Sequence, residues 1–190
     1  MRVIGGEAGG RQLKAPTGRA TRPTSDRVRE AMFNILQSRV DWVESEVVDL
    51  FAGSGALGIE AVSRGAKRAV LVDNDPAAVQ VAATNVASLG YDRGERVRTV
   101  RADSLRWATS AGPSRDNTVV VFADPPYRWQ GWPQFWAALS PWADLVVAES
   151  SSPVEPGPGW SIDVARKYGA TLVTVALADP SRPDRSRDER

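Results

Sequence analysis

The stretch FADPPYRW, residues 122–129, ends an apolar run with an acid, two prolines and an aromatic residue. The two prolines remove two backbone donors and force extended geometry on the residue before them. A stiff backbone with free carbonyl groups therefore holds the acid and the aromatic ring in place. The candidate catalytic residues are Asp124, Pro125, Pro126 and Tyr127, which together suit a site of fixed hydrogen-bond acceptors.

A second candidate site lies in VVDLFAGSGALGIEA, residues 47–61, where an apolar run leads into a glycine-rich turn and then a helical pattern. Such a turn brings backbone amides next to a bound group, and ligands of open α/β sheets lie beyond the carboxyl ends of the strands. No Gly-Lys-Ser/Thr follows, which argues against a bound triphosphate. We predict a nucleoside pocket that involves Asp49, Ala52, Gly53, Ser54 and Gly55, whereas the alternative is a tight turn without a ligand.

Acids also follow the next two apolar runs. In LVDNDP, Asp73 ends a strand, where its carboxylate can accept hydrogen bonds from both hydroxyls of a ribose, with Asn74 beside it. In RADSLRW, Asp103 can accept from an adenine amine, with Ser104 next to it. Asp75, followed by a proline, is predicted to be a helix cap instead. Helix capping is also the alternative role for each of the other acids at strand ends.

Composition restricts the remaining chemistry. The chain has 190 residues, 42% of them hydrophobic, which is the size and composition of one globular domain. It contains no cysteine and no histidine, which excludes disulfides, thiolate zinc sites and a Ser-His-Asp hydrolase. We expect no metal. Neither a membrane span nor the apolar centre of a signal peptide is visible, so we expect a cytoplasmic protein.

Apolar patterns predict the elements that position these residues. Helical spacing favours a helix over residues 25–38, and strands then alternate with helices: strands at 47–51, 69–73, 97–101, 118–122 and 145–149, helices at 56–64, 76–89, 105–108 and 133–139. Residues 162–168 and 170–177 flank a single glycine and predict an antiparallel hairpin. Residues 151–160 are predicted to be an exposed loop. The fold class is α/β, with about seven mostly parallel strands and helices on both faces.

The front of the chain is basic. Residues 1–40 hold eight Arg or Lys and only three acids, a balance that suits a polyanion. We divide the chain into a basic hairpin or arm with little core of its own (1–23), a main domain (24–178) and a disordered tail (179–190). A strand that stabilises the fold is the alternative for the arm. The residues that we expect to contact the polyanion are Arg2, Arg11, Lys14, Arg19 and Arg22.

The glycine turn, Asp73 and DPPY at 124–127 resemble the class I S-adenosylmethionine-dependent methyltransferases, and within them the enzymes that methylate amino groups. GGEAGGRQLKAP and TRPTSDRVREAMFNIL resemble the RsmD family, which methylates N2 of one guanine in bacterial small-subunit ribosomal RNA. The resemblance covers residues 1 to about 177. It implies a Rossmann-like methyltransferase fold, S-adenosylmethionine as cofactor and 16S ribosomal RNA, in an assembled or assembling small subunit, as partner. We expect a monomer.

The resemblance also implies roles for individual residues. The Asp124 carboxylate and the Pro125 carbonyl would hold both hydrogens of a purine amine, so that its lone pair points at the methyl group. Tyr127 would stack on the flipped base, with Trp129 or Trp132 as its partner. Core packing is the alternative for Tyr127 and our expectation for the tryptophans at 129, 132 and 136. The basic arm would fold over the cleft and bind RNA phosphates.

Three rival functions remain open at the level of sequence. An adenine N6-methyltransferase of DNA or RNA needs the same acceptors, and a protein glutamine methyltransferase uses related chemistry. The third is a non-catalytic RNA-binding or assembly protein with the same fold. DPPY alone does not separate guanine from adenine as the target.

Overall fold

The computed structural model describes residues 1–16, 25–110, 112–113 and 117–181. Within these ranges strands and helices alternate along the sequence. The helices are α1 (Asp26–Leu36), α2 (Ala56–Ser63), α3 (Pro76–Ser88), α4 (Ser104–Ser110) and α5 (Trp132–Leu139). The strands are β1 (Ser45–Leu50), β2 (Arg68–Asp73), β3 (Val97–Arg101), β4 (Thr118–Ala123), β5 (Leu145–Ser150), β6 (Trp160–Tyr168) and β7 (Thr171–Ala178). Short 3-10 helices precede β1 (Trp42–Glu44) and β3 (Arg93–Glu95).

Seven strands form one mixed sheet in the order β3-β2-β1-β4-β5-β7-β6. Strands β1 to β5 pair in parallel, whereas β7 is antiparallel to both β5 and β6. The direction of strand order reverses between β1 and β4, and open α/β sheets bind ligands at the carboxyl ends of the strands beside such a reversal. The predicted fold class, mostly parallel with a C-terminal antiparallel hairpin, is confirmed.

Helices cover both faces of the sheet. On one face α1, α2 and α3 bury an apolar layer against alternate strand residues, including Phe33, Ile59 and Phe122. On the other face α4 and α5 bury a second layer that includes Trp107 and Trp136. Burying each such side chain contributes about 1.5–3 kcal/mol, so the two layers hold the central strands rigidly under the ends where ligands bind.

Two predicted boundaries differ from the structure for local reasons. Strand β1 ends at Leu50 because Phe51 has a φ of 72°, which no strand residue adopts. The segment predicted as an exposed loop over 151–160 is wrong at two positions. Val154 is buried in the core, and Trp160 begins β6 and packs 5.5 Å from the Trp136 ring.

The N-terminal segment is packed against the main domain. Within residues 1–16, a single antiparallel bridge joins Arg2 to Gln12. Val3 and Leu13 are buried in the core layer of α1 to α3. The buried Glu60 carboxylate of α2 accepts from two of the segment's amides, at 2.6 Å and 2.8 Å. These contacts favour the alternative in which the segment stabilises the fold.

Parts of the predicted arm and tail lie outside the described residues. These are residues 17–24, which contain two of the predicted RNA contacts, Arg19 and Arg22, and residues 182–190 of the tail. Among the described helices, the longest of which has 13 residues, none is long and apolar enough to span a membrane.

Candidate active site

The glycine turn follows β1 at the reversal of strand order. Gly53 has a φ of +56° and faces open space, since a Cβ atom there would meet no atom closer than 4.0 Å. Gly58 is needed for packing instead, because its Cβ would lie 2.3 Å from Leu71 of β2. Gly55 caps the start of α2 with left-handed geometry, and Ala52 and Ser54 complete the turn. The open face at Gly53 allows a ligand to approach the backbone.

Asp73 joins the turn to the end of β2. One of its carboxylate oxygens accepts from the amide of Gly53 at 2.9 Å, and the other accepts from the amide of Asp75 at 2.9 Å. Each oxygen keeps a second lone pair, which a ribose hydroxyl can use. Asn74 is exposed beside it. The structure therefore brings the predicted ribose acid and the predicted glycine turn into direct contact.

Asp49 lies behind the turn. Its side chain is buried within β1 and accepts a hydrogen bond from the amide of Gly58 at 3.0 Å. Burial raises the pKa of Asp49 to about 7, the Gly58 hydrogen bond opposes this rise, and the nearby charges of Asp124 and Asp73 add to it. Asp49 therefore supports α2 and the turn from below, rather than facing the open space at Gly53.

The acids at the ends of β2 and β3 also cap helices. Asp75 accepts from the amide of Ala77 at 2.9 Å and caps α3, as predicted. Asp103 accepts from the amide of Arg106 at 2.9 Å at the start of α4, and Ser104 beside it is buried. The helix-cap alternative thus describes the observed Asp103, whose second carboxylate oxygen retains its acceptor capacity.

The DPPY residues line an open cleft of about 120 Å³. Asp124 is half-buried, Pro125 is buried, and Tyr127 is 58% exposed. The amide of Trp129 donates to the carbonyl of Pro126 at 2.8 Å and closes the turn after the prolines. The other cleft residues come from the start of α1, the end of β5 and the β6–β7 turn, and include Ser25, Val28, Glu149, Tyr168 and Thr171. The core-packing alternative for Tyr127 is wrong, because its ring is exposed in the cleft.

An aromatic cluster connects the cleft to the glycine turn. Trp129 makes edge contacts with Phe51, at 5.1 Å between ring centroids, and with Trp132, also at 5.1 Å. Both tryptophans line the cleft and also pack against the core. Trp136 is buried and packs as predicted. The ring of Phe51, next to the glycine turn, therefore contacts Trp129, which belongs to the aromatic wall of the cleft.

Sequence reasoning missed two residues of this region. Phe51 was assigned to a strand, and only its place before the glycine turn hinted at another role. Glu149 ends the apolar run LVVAE just as acids end the other strands, and this was the available signal. The structure shows Glu149 at 5% exposure in the wall of the cleft.

The predicted RNA contacts are dispersed. Arg2 lies 3.4 Å from Asp26 at the start of α1, close to the cleft. Arg11 donates to the carbonyl of Ser88 at 3.0 Å, at the end of α3 that leads back to the start of β3 and is remote from the cleft. The amide of Lys14 is bound to α3 by Asn85. In the described ranges, no cluster of three or more His, Cys, Asp or Glu could hold a metal ion.

Comparison with known proteins identifies the chain's relatives. The model of the family described as conserved hypothetical protein 95 matches residues 1–176. YlbH of Bacillus subtilis (strain 168), named provisionally as an rRNA methyltransferase, is 37% identical over 183 residues, which cover 92% of this chain and 97% of YlbH. Ribosomal RNA small subunit methyltransferase D of Escherichia coli (strain K12) is 40% identical over 128 residues, or 67% of this chain and 61% of that protein.

Solved structures agree with these relatives. The structure of yhhF from Escherichia coli, named provisionally as a methyltransferase, has a TM-score of 0.80 and 30% identity, and covers 94% of this chain and 98% of that chain. Magnesium protoporphyrin IX methyltransferase (ChlM) from Synechocystis PCC 6803, solved with bound SAM, has a TM-score of 0.62 at 16% identity and 80% and 79% coverage, which shows a common fold. The chain has the class I methyltransferase fold, and it belongs to the conserved hypothetical protein 95 family, the RsmD family that its motifs indicate.

Proposed function

We propose that the protein methylates the exocyclic N2 amine of a guanine in 16S ribosomal RNA, in an assembled or assembling small subunit, with S-adenosylmethionine as methyl donor. One observation carries the proposal. The rigid acceptors at Asp124 and Pro125 line an open cleft at the end of β4, the strand that pairs with β1, and β1 leads into the glycine turn that Asp73 contacts. The name of the Escherichia coli relative, a small-subunit ribosomal RNA methyltransferase, supports the choice of RNA.

The cofactor fits the residues at the ends of β1 to β3. Open space at Gly53 admits a ligand against the backbone, and the Asp73 carboxylate, fixed by two amides, would hold the ribose hydroxyls. Asn74 and Asp103 lie at the adjacent strand ends, where the adenine would be bound. When bound, S-adenosylmethionine supplies a methyl group on a sulfonium, which is a strong electrophile.

Asp124 and Pro125 prepare the target amine. The lone pair of a purine amine is delocalised into the ring, so the amine is a poor nucleophile. Two acceptors that bind both hydrogens favour a geometry whose lone pair points out of the ring plane. The neutral amine does not need to lose a proton before it attacks, so no histidine base is needed. Its extra proton passes to Asp124 or to water after methyl transfer.

Tyr127 and the aromatic wall hold the base. The exposed Tyr127 ring can stack on a base flipped into the cleft, a contact worth about 1–3 kcal/mol. Exposed cations next to cleft residues are placed to bind the flanking phosphates: Arg2, Arg27, Arg128 and Lys167. We propose this group, in place of the remote Arg11, as the main phosphate contacts within the described part of the chain.

The test uses tritiated S-adenosylmethionine with deproteinised small-subunit rRNA and with small ribosomal subunits, followed by separation of the nucleosides. We expect label in N2-methylguanosine. Label in N6-methyladenosine would instead support the adenine alternative, and label in added protein would support the glutamine alternative. No label with any substrate, despite cofactor binding, would favour the non-catalytic assembly protein.

Asp124→Ala tests the central role. We expect transfer to fall at least about 100-fold, since both the acceptor and the alignment of the amine are lost. Calorimetric affinity for S-adenosylmethionine should stay within about threefold of wild type, because Asp73 and the glycine turn are untouched. Asp92→Ala, an exposed acid in the turn before β3, is the matched control and should keep full activity. Normal turnover by Asp124→Ala would contradict the role.

A further inference from the structure

Glu149 is a buried carboxylate in the wall of the cleft. Its residue is 5% exposed at the end of β5, although Glu is rarely buried unless paired or functional. Its backbone is fixed from one side by β7, where it pairs with Val173. A rigid, mostly desolvated carboxylate beside the reacting groups is well placed to discriminate between substrates by hydrogen bonding.

Glu149 and Asp124 project from the sheet side by side. The parallel pairing of β4 with β5 places Ala123 opposite Ala148, so that these two acids follow in register on strands about 4.8 Å apart. The proline after Asp124 keeps that residue extended. Strand alternation then sends both side chains to the face of Phe122 and Val147, which is the α1 face and the cleft side.

Two adjacent carboxylates match guanine and not adenine. The edge of guanine that carries N2 presents two neighbouring donors, the N2 amine and the N1–H group. The corresponding edge of adenine presents the N6 amine next to N1, which is an acceptor. An ionised carboxylate only accepts hydrogen bonds, so next to adenine N1 it would meet a lone pair. Enzymes that flip a base read it through this edge.

We propose that Glu149 is the specificity-determining residue that selects guanine, by accepting the N1–H hydrogen bond while Asp124 holds the N2 amine. This inference rests on the proposed methyltransferase function and adds the base selection that DPPY does not encode. A carboxylate has about four lone-pair sites, so Glu149 can accept from the base in addition to a partner within the protein.

Glu149→Gln tests the selection with almost no change in size. The amide loses the negative charge and one of the two acceptor oxygens, so it binds guanine N1–H less strongly, and it gains an N–H donor that adenine N1 can accept from. With small-subunit rRNA and small subunits as probes, we expect kcat/KM for guanine labelling to fall about 10- to 100-fold. The ratio of N6-methyladenosine to N2-methylguanosine should rise at least about tenfold. A merely structural role would lower both products equally and leave this ratio unchanged.

Controls separate the possible failures. Glu155→Gln makes the same chemical change at an exposed acid of the following loop and should leave rate and ratio unaltered. Cofactor calorimetry and thermal melting show whether Glu149→Gln folds. If it does not fold, Glu149→Asp replaces it. This variant keeps the charge but shortens the side chain, and it should lose guanine labelling to the same extent. Guanine labelling at the wild-type rate in a folded variant would overturn the role of Glu149 alone. Adenine as the wild-type product would overturn the inference while the amine chemistry stands, and no wild-type labelling at all would overturn the proposed function.

Discussion

Removing the side chain of Asn85 should loosen both the N-terminal segment and the glycine turn. Asn85 lies in α3 at 2% exposure and makes three hydrogen bonds. Its amide donates to the carbonyls of Lys14, at 3.0 Å, and Ser54, at 2.9 Å, and its oxygen accepts from the amide of Lys14 at 2.8 Å. One side chain therefore binds three separate parts of the chain together.

The magnitude follows from these three contacts. Each hydrogen bond contributes about 1 kcal/mol, and a backbone group left buried without a partner costs about 1–3 kcal/mol. Asn85→Ala should therefore lower the free energy of unfolding by about 3 kcal/mol, out of a typical total of about 5–15 kcal/mol. Affinity for S-adenosylmethionine should also fall, because the Ser54 carbonyl no longer anchors the turn.

Urea denaturation followed by circular dichroism measures the first effect and calorimetry the second. The midpoint should fall with little change in slope, which identifies a change in stability and not in the unfolded state. Thr84→Ala is the control, since it removes the hydroxyl of a neighbouring, half-buried residue, which donates to the carbonyl of Gln80 within α3, and it should stay within about 0.5 kcal/mol of wild type. If the free energy of unfolding falls no more in Asn85→Ala than in this control, the three contacts do not hold the segment and the reasoning fails.

Two further changes test the packing of the segment and the state of the buried acid. In urea unfolding, Gly6→Ala should lower the free energy of unfolding by about 1–3 kcal/mol more than Gly10→Ala does. Both glycines have positive φ, but only at Gly6 would the Cβ lie 1.8 Å from the carbonyl oxygen of Ser63. Equal losses of stability in the two variants would contradict that close approach. The pKa of Asp49, raised to about 7 by burial, lies above its unfolded value, so the folded state retains a proton that the unfolded state loses. The free energy of unfolding should therefore fall as pH rises from about 4 to about 7, and Asp49→Asn should flatten that dependence; an unchanged pH profile in the variant would rule out this acid as its source.

Local patterns were sufficient for the elements but not for their partners. In the described ranges, apolar runs and helical spacing placed each strand and each α-helix within a few residues, because burial of one face dictates that spacing, whereas the two short 3-10 helices were not predicted. The same patterns could not show that Val3 and Leu13 join the core, since two apolar residues among glycines do not define a face. They also could not show that Asn85 binds Lys14, because that contact spans 71 residues and leaves no periodic signal.

The residues of the candidate site also differ in how far local sequence patterns could predict them. DPPY, the glycine turn and Asp73 were visible because each concentrates unusual residue types at a strand end. Asp103 could be assigned either way from sequence, and only its hydrogen bond to Arg106 reveals the cap. Glu149 carried the same strand-end signal as the other acids, but its burial depends on β7, which follows more than twenty residues later.

The left-handed backbone of Phe51 bears on how the glycine turn and the cleft affect each other. A bulky residue at a φ of 72° stores strain of about 1–3 kcal/mol, and here its ring contacts Trp129 of the cleft at 5.1 Å between ring centroids. A ligand that moved the glycine turn would move the Phe51 ring against Trp129. We predict that the methyl donor and the RNA base are coupled through this pair of rings, so that each alters the affinity of the other by the same factor.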